Sequence, residues 1–341
     1  MNAPRCSEHD YIAFLVAAQN VFSCTEAARC QPERPTTPAH DAFTRLLTRV
    51  PPDTAALWKE AEPFVRRREG LLILDDTTLD KPYAKRMDLV TRHWSGKHRS
   101  VVWGINLQTL VWAGPAGGDT WSAVPCDLRI YDTDGPTPPR RGGRENEQFR
   151  EMLAVASERG FEPACVLFDS WYSSLDNLKG VRDLGWDFLT RLRSNRTVNP
   201  DRSGHAAVSD VETGPDGREV FLKGYGLIRL FRTVSPDGRA EYWATNRLSM
   251  TRDERDDLER ESWGIEAYHR SLKQHCGVER SAARSAVGQA NHLLLSVRAY
   301  LRLEVHRVRT GTSHFEAKAS IVRDAIRSFL ANPALAQLPT A

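Results

Sequence analysis

The sequence predicts an α/β protein whose mixed sheet is flanked by helices. Three observations support this class. Short apolar runs rich in β-branched residues alternate with amphipathic segments of helical period over residues 70–192. The resulting order of strand, helix, strand, helix, strand requires crossover connections and therefore parallel strands. Helical patterns precede this core in residues 1–69 and follow it in residues 251–310.

The composition is that of an ordinary globular protein and excludes several classes. The chain has 341 residues, of which 27% are charged and 40% hydrophobic, and its formal net charge is +3. That length suffices for two or three domains with a sizeable core. No apolar run approaches the ~20 residues that a membrane helix requires, and the first residues lack the apolar segment of a signal peptide. We therefore expect a cytoplasmic protein without a membrane partner.

The six cysteines indicate neither a zinc site nor a disulfide framework. None form a C-x-x-C pair or stand near a histidine at zinc-finger spacing. We expect reduced thiols, because disulfides are rare in the cytosol.

The predicted core consists of strands and two helices. Apolar, β-branched runs predict strands at 71–78, 101–114, 122–132, 164–170 and 186–192. Amphipathic patterns predict a helix at 145–160, which Gly160 would end, and another at 173–185, which Ser173 would cap. The stretch 134–144, rich in proline and glycine, predicts a loop.

The pattern changes after the core. Short strands separated by the turn clusters GPDG and SPDG predict a β-rich, antiparallel insert at 193–250. Residues 251–310 then read as helices, with breaks expected at Gly277 and Gly288. Residues 311–341 predict a weaker helix followed by a tail.

Positive charge is concentrated late in the chain. Residues 267–309 contain eight lysines and arginines but only two glutamates, whereas the preceding stretch 251–262 is mostly acidic. A basic helical segment beside an acidic one is typical of an anionic partner held near a carboxylate site. A solvated helix face would explain the charge equally well.

Three acidic residues are the strongest candidates for chemistry. Asp76 and Asp169 follow two apolar strands, and Glu266 lies in the helical segment after the insert. Sites in open α/β sheets form at the carboxyl ends of strands, and an all-oxygen ligand set suits Mg²⁺. Asp75 competes with Asp76, but neighbouring strand residues point to opposite faces, so only one of them would enter the site. The other would pair with a nearby base or support the site from behind.

These residues resemble the three motifs of DDE transposases. The motifs are Asp76-Thr-Thr after the first strand, Phe168-Asp169-Ser170 after the second, and the stretch Trp263-Gly-Ile-Glu266-Ala-Tyr-His-Arg-Ser-Leu-Lys273. The resemblance covers about residues 70–300 and is greatest to the bacterial insertion-sequence transposases related to insertion sequence 4 and insertion sequence 701. It implies a ribonuclease H-like core in two parts, residues 70–192 and 251–310, separated by the β-rich insert.

The resemblance also implies a chemistry and its partners. Asp76, Asp169 and Glu266 would hold two Mg²⁺ or Mn²⁺ ions that cleave a phosphodiester bond and then join the DNA end to a target. DNA would be the partner, as terminal inverted repeats and as target, bound by a homodimer whose N-terminal domain (1–69) contributes to recognition. The Tyr and Arg that the family usually places before the glutamate are replaced here by Glu259 and Ser262.

The expected DNA contacts are basic and aromatic. Arg270 and Lys273 lie four and seven residues after Glu266, on the same face of a helix, and either Arg270 or Arg260 is a candidate to replace the missing arginine. A neighbouring stripe of the same helix contains Ile265, Tyr268 and Leu272. We expect these residues, in the first place, to pack in the core. Candidate stacking residues are Trp94, Trp171, Tyr172 and Trp243. The full set of expected DNA-binding residues is Lys273, Arg270, His269, Tyr268, Lys97 and Arg193.

Two alternatives remain open from the sequence. One is a metal-dependent nuclease of the same fold that cuts DNA without joining it. The other is a non-catalytic DNA-binding protein derived from a transposase, for which the absent Tyr and Arg leave room. The sequence gives poor support to a Ser/Cys–His hydrolase or a nucleotide-binding enzyme, because neither a G-x-S-x-G motif nor a glycine-rich phosphate loop occurs.

Overall fold

The computed structural model describes residues 5–33, 37–84, 86–96, 98–118, 120–132, 143–202, 204–235 and 237–333. Its helices are α1 Glu8–Ala17, α2 Cys24–Arg29, α3 His40–Thr48, α4 Thr54–Ala61, α5 Gly143–Glu158, α6 Leu175–Asp183, α7 Arg252–His275, α8 Ala286–Thr310 and α9 His314–Ala331. Its strands are β1 Leu71–Asp80, β2 Thr91–Ser95, β3 Ser100–Gly117, β4 Thr120–Ile130, β5 Cys165–Phe168, β6 Phe188–Leu192, β7 Thr197–Asn199, β8 Ala206–Ala207, β9 Arg218–Leu222, β10 Gly226–Val234 and β11 Ala240–Thr245.

The chain divides into two compact units. One comprises residues 53–269 and contains the sheet, and the other comprises residues 1–52 with 270–341 and is helical. Within the described residues, no helix combines the length and apolarity that crossing a bilayer requires.

The centre of the sheet is mixed, as the sequence predicts. β1 pairs antiparallel with β3, and β3 pairs antiparallel with β4, whereas β5 and β6 run parallel to β1. The first four residues of β1 are all buried because the two faces of a parallel strand are both covered, which explains their unbroken apolar run. This order, with helices α5 and α6 as crossovers, is consistent with a ribonuclease H-like nuclease fold.

The β-rich segment after the core extends the same sheet. β11 pairs antiparallel with β6, and β10, β9, β7 and β8 follow in that order. The predicted strands of this segment agree with β9 to β11. β2 is not predicted by the sequence, because its basic and polar residues (TRHWS) hide the strand pattern.

Two helix boundaries differ from their predictions. Ser174, not Ser173, caps α6, and its side chain accepts a hydrogen bond from the backbone N–H of Asn177. The Ser173 hydroxyl instead donates to the Ser170 carbonyl. Gly277 ends a helix in the left-handed conformation, as predicted, with φ of 65°. Gly288 does not break a helix, because Ser285 already caps α8 and Gly288 lies in its first turn.

The helical unit is built around α8, which is buried along most of its length. Asn291 donates to the carbonyls of Leu47 and Val50 at the end of α3. The His292 ring lies 3.0 Å from the Tyr11 hydroxyl of α1. These buried polar contacts fix the N-terminal helices to α8, since a buried polar group without a partner costs about 1–3 kcal/mol.

Two buried cysteines in the core of the sheet unit lead us to expect that the protein loses stability at alkaline pH. Burial raises the pKa of the Cys126 and Cys165 thiols to about 12, from an ordinary value of 9.0. A thiol whose pKa is higher in the folded state than in the unfolded state stabilises the fold fully at pH values below its unfolded pKa. This stabilisation is lost as the pH rises towards its folded pKa. Urea unfolding should therefore show a free energy that falls between about pH 9 and 12.

The control replaces both thiols with alanine. The double variant should start less stable but lose less stability across this pH range. Each thiol accounts for a slope of up to about 1.4 kcal/mol per pH unit. Equal slopes in the two proteins would contradict the assignment.

Candidate active site

The first two predicted motifs meet where the parallel part of the sheet ends. The last paired residues of β1 and β5 are Leu74 and Phe168. Asp75, Asp76 and Asp169 therefore follow directly at the same edge of the sheet. β1 itself continues to Asp80 against β3 alone, so the first acidic pair lies within a strand and not at its end.

Asp76 is held by two hydrogen bonds. Its Oδ1 accepts from the Tyr172 hydroxyl at 2.8 Å, and its Oδ2 accepts from the Asn106 side-chain amide. The Tyr172 hydroxyl in turn accepts a bond of 2.8 Å from the Gln108 amide. Both Asp76 oxygens keep further lone pairs, so the carboxylate is oriented without losing its capacity to bind a cation.

Asp75 points towards helix α7. Its Oδ2 lies 3.8 Å from Nδ1 of His269, which is itself buried. Burial raises the pKa of Asp75 well above its usual value, and the charges of Asp76, Asp169 and Glu266 raise it further. Asp75 thus faces a base, and the acidic residues of all three motifs lie near enough to act on its charge.

Asp169 is exposed to solvent, although the surrounding protein atoms partly desolvate its carboxylate. This desolvation raises the pKa of Asp169, and the negative charge of Asp76 adds to the effect. Hydrogen bonds from the backbone amides of Trp171 and Tyr172 oppose the rise, and the Trp171 amide lies 2.8 Å from Oδ1. The turn after β5 therefore holds this carboxylate in place.

Glu266 is exposed on α7, while Ile265 and Tyr268 beside it are buried. This division follows from the helical period, which separates a core stripe from an exposed one. Tyr268 is fully buried and packs against the His269 ring, with centroids 5.2 Å apart. A DNA contact through Tyr268 would require its ring to leave this packing.

The donor chemistry of this region suits a hard divalent cation. All the candidate ligands are carboxylates, and their mutual repulsion would be relieved by positive charge. However, among the residues described, no three His, Cys, Asp or Glu side chains lie close enough together to form a ready-made metal site. The acidic residues share one region but are not gathered into a coordination sphere.

The other expected DNA-binding residues occupy different surroundings. Arg193 lies over the Trp171 ring, 5.8 Å from its centroid. Arg270 is exposed, whereas Lys273 forms an ion pair of 3.4 Å with Glu279. Lys97 lies outside the described residues.

The positions of the missing Tyr and Arg are occupied by a local ion-pair network. Glu259 pairs with Arg255 at 2.6 Å, and the Ser262 hydroxyl donates to the Glu259 carbonyl at 2.6 Å. Arg255 is buried and lies over the Trp243 ring, 5.4 Å from its centroid. Trp243 is only 5% exposed, so it packs between α7 and the sheet and is not available for stacking on a base.

Sequence reasoning missed the residues that support Asp76. Asn106 and Gln108 lie two apart on β3, opposite Thr78 and Asp76 in the register. They are polar positions in an otherwise apolar strand, and that interruption was the available signal. Glu145 was also missed, whose pKa is raised by burial and by the charge of Asp76.

Removal of the Tyr172 hydroxyl should impair the site without unfolding it. In Tyr172→Phe, Asp76 loses an orienting donor and Gln108 loses one of its two acceptors, so any cleavage rate should fall about 10- to 100-fold. The free energy of unfolding should fall by about 1–3 kcal/mol. Rates measured on the folded variant and urea titrations test both expectations.

Tyr225→Phe is the matched control. Its ring is also packed, but within the described part of the chain its buried hydroxyl has no hydrogen-bond partner. This variant should cleave at the native rate. An equal loss of rate in both variants would argue against a specific role for Tyr172.

Comparison with known families identifies a nuclease of the transposase type. Residues 17–225 match the family described as DDE superfamily endonuclease. The chain therefore belongs to the DDE superfamily endonucleases, nucleases that generally use divalent metal ions. Residues 146–312 also match the family described as "Archaeal putative transposase ISC1217". No curated protein matches the chain.

Two solved structures show a distant likeness to the chain. Endonuclease V of Ciona intestinalis, in complex with a 24mer DNA containing an inosine followed by a ribo-adenosine, has a TM-score of 0.31 and 8% identity, covering 64% of this chain and 95% of that one. Human ENDOV has a TM-score of 0.25 and 10% identity, covering 76% of this chain and 98% of that one. TM-scores this low bear on neither the fold nor the function.

Proposed function

We propose that the protein is a DNA transposase of an insertion sequence, of the kind related to insertion sequences 4 and 701. It would hydrolyse a phosphodiester bond at each end of the element and transfer the freed strand into target DNA. The observation that carries this proposal is that Asp75, Asp76 and Asp169 lie together where the parallel strands β1 and β5 end, with Glu266 near enough to act on the charge of Asp75. These residues come from three distant segments of a chain that belongs to the DDE endonucleases.

In this proposal Asp76, Asp169 and Glu266 hold the metal ions. Mg²⁺ or Mn²⁺, as a pair of ions, would supply a more acidic nucleophile and charge stabilisation of the leaving oxygen. Tyr172 and Asn106 keep Asp76 aimed at the site, and the amides of Trp171 and Tyr172 do the same for Asp169. Since the carboxylates are not yet gathered, we expect metal and DNA phosphate to bind together.

The proposed partners are the terminal inverted repeats of the element and the target DNA. Arg193, Arg270 and Lys273 would contact phosphates, so affinity should fall steeply with salt. Pairing of two element ends implies a homodimer on the DNA. The proposed location is the bacterial cytoplasm, where the DNA lies.

A labelled DNA duplex carrying the inverted repeats that flank the gene tests this function. With Mg²⁺ or Mn²⁺, the protein should nick the repeat end and yield joined products with a target plasmid, and EDTA should abolish both. Nicking without joined products would leave a nuclease and overturn transposition. No cutting with any metal, together with unchanged binding when Asp76, Asp169 and Glu266 are all replaced by alanine, would establish the non-catalytic DNA-binding protein instead.

A further inference from the structure

A polar cleft opens beside Asp169 in the sheet unit. It has a volume of about 700 Å³ and is formed by the turn after β5, the start of α6, the segment after β6 and the β9–β10 turn. That volume is in the range of pockets that enclose small organic ligands. Its cationic walls are Arg193, Arg196 and Lys223, and none of the described residues that line it is acidic.

The cations of the cleft have no carboxylate partner among the residues that the structure describes. Within the described residues, no ion pair engages Arg193, Arg196 or Lys223, whereas Arg182, Arg191 and Arg247 of the same unit each have one. Arg196 is half-buried, and burial lowers the pKa of its guanidinium without any acidic neighbour to offset the effect. A partly desolvated cation of this kind is stabilised when an anion binds beside it.

An aromatic ring completes the cleft. Trp171 lines it and is 43% exposed, so its ring is accessible to a ligand. The Arg193 guanidinium lies 5.8 Å from the centre of its ring. The Trp171 amide donates to Asp169, so whatever contacts this indole lies next to the candidate catalytic carboxylate.

Packing contacts fix the β9–β10 turn that forms one wall of the cleft. Gly224 has φ of 80°, and a Cβ there would lie 3.1 Å from Leu175 of α6. Arg182 of α6 lies over the Tyr225 ring and donates to the Tyr225 carbonyl at 3.2 Å. These contacts fix the β9–β10 turn against α6, and with it the position of Lys223.

We propose that this cleft binds an unpaired nucleotide of a single DNA strand, with its base stacked on Trp171 and its flanking phosphates held by Arg196 and Lys223. An exposed aromatic ring among unpaired cations is the combination that binds single strands, because every base offers a face for stacking and every nucleotide a phosphate. The inference rests on the proposed function in that it places the unpaired nucleotide beside the phosphate to be cut.

Binding without metal tests the cleft separately from catalysis. The probe is a short fluorescein-labelled oligo(dT), titrated in EDTA and followed by anisotropy. Trp171→Ala should weaken binding about 10-fold, while Trp171→Phe should stay near native. Arg196→Gln and Lys223→Gln should each weaken binding and reduce the slope of log affinity against log salt by about 0.7. The controls are Trp121→Ala, a tryptophan that is 41% exposed on β4, and Arg232→Gln on β10, both outside the cleft.

The outcomes separate the two proposals. Equal binding by the cleft and control variants would overturn the cleft, even if the native protein cuts and joins DNA. A loss in Trp171→Ala that persists on an oligonucleotide of abasic sites would overturn base stacking. If Asp169→Asn binds oligo(dT) normally and the cleft variants do not, the inference stands, whether or not the cleavage assay supports the transposase.

Discussion

Replacing Asp169 with asparagine should abolish cleavage and at the same time raise the melting temperature. The loss of rate should be at least about 1,000-fold, because the ligand supplies several kcal/mol of charge stabilisation and every 1.36 kcal/mol corresponds to a factor of about 10. The gain in stability follows from the raised pKa of Asp169, which burial and Asp76 both cause. A carboxyl group whose pKa is higher in the folded state stabilises the fold only at pH values below its unfolded pKa. At neutral pH its negative charge therefore destabilises the fold, and asparagine lacks that charge.

Calorimetry and cleavage assays on the same preparation check this pair of effects. The melting temperature should rise by about 2–4 °C for each kcal/mol gained. At a pH near the ordinary carboxyl value of 3.8 the difference should shrink, since the native carboxyl is then protonated. Mg²⁺ should raise the melting temperature of the native protein more than that of the variant.

Asp216→Asn provides the control. Asp216 is exposed in the turn before β9, so its replacement should change neither the rate nor the melting temperature. A variant at Asp169 that melts below the native protein, or that still cuts at the native rate, would refute the view that this site trades stability for metal binding.

The core strands could be predicted because their signal is local. The apolar runs at 71–74 and 165–168 are buried on both faces, and such strands show in the sequence as unbroken hydrophobic stretches. Asp76 and Asp169 could be placed at one edge by the same reasoning, since parallel strands end together. Family resemblance then added Glu266, which no spacing argument connects to the other two.

The supports of the site could not be predicted, because they depend on tertiary packing. Nothing near Asp76 in sequence indicates that Tyr172 donates to it across 96 positions. The orientation of Asp75 towards His269 likewise depends on where α7 packs. Glu259 and Ser262 show the limit of motif reasoning, because they depart from the family pattern yet form an ordered network with Arg255.

Truncation of Phe149 should be the most damaging core change near the site. This α5 side chain is fully buried, with its ring 5.0 Å from that of Phe168 and stacked 5.5 Å from that of Tyr172. Phe149→Ala should lower the free energy of unfolding by about 3–5 kcal/mol, measured by urea titration. It should also slow cleavage by the folded fraction about 10- to 100-fold, because the ring that positions Tyr172 against Asp76 is lost.

Phe161→Ala distinguishes these two effects. Phe161 is 3% exposed and packs on Trp58 at 5.4 Å, but it precedes β5, at the opposite end of that strand from Asp169. Its truncation should cost a similar amount of stability, by the same loss of buried aromatic surface. Cleavage per folded molecule should nevertheless stay native. If both truncations slow cleavage equally, Phe149 acts only through global stability. If only Phe149→Ala slows cleavage, the packing of Phe149 on α5 helps to hold Asp76 in position.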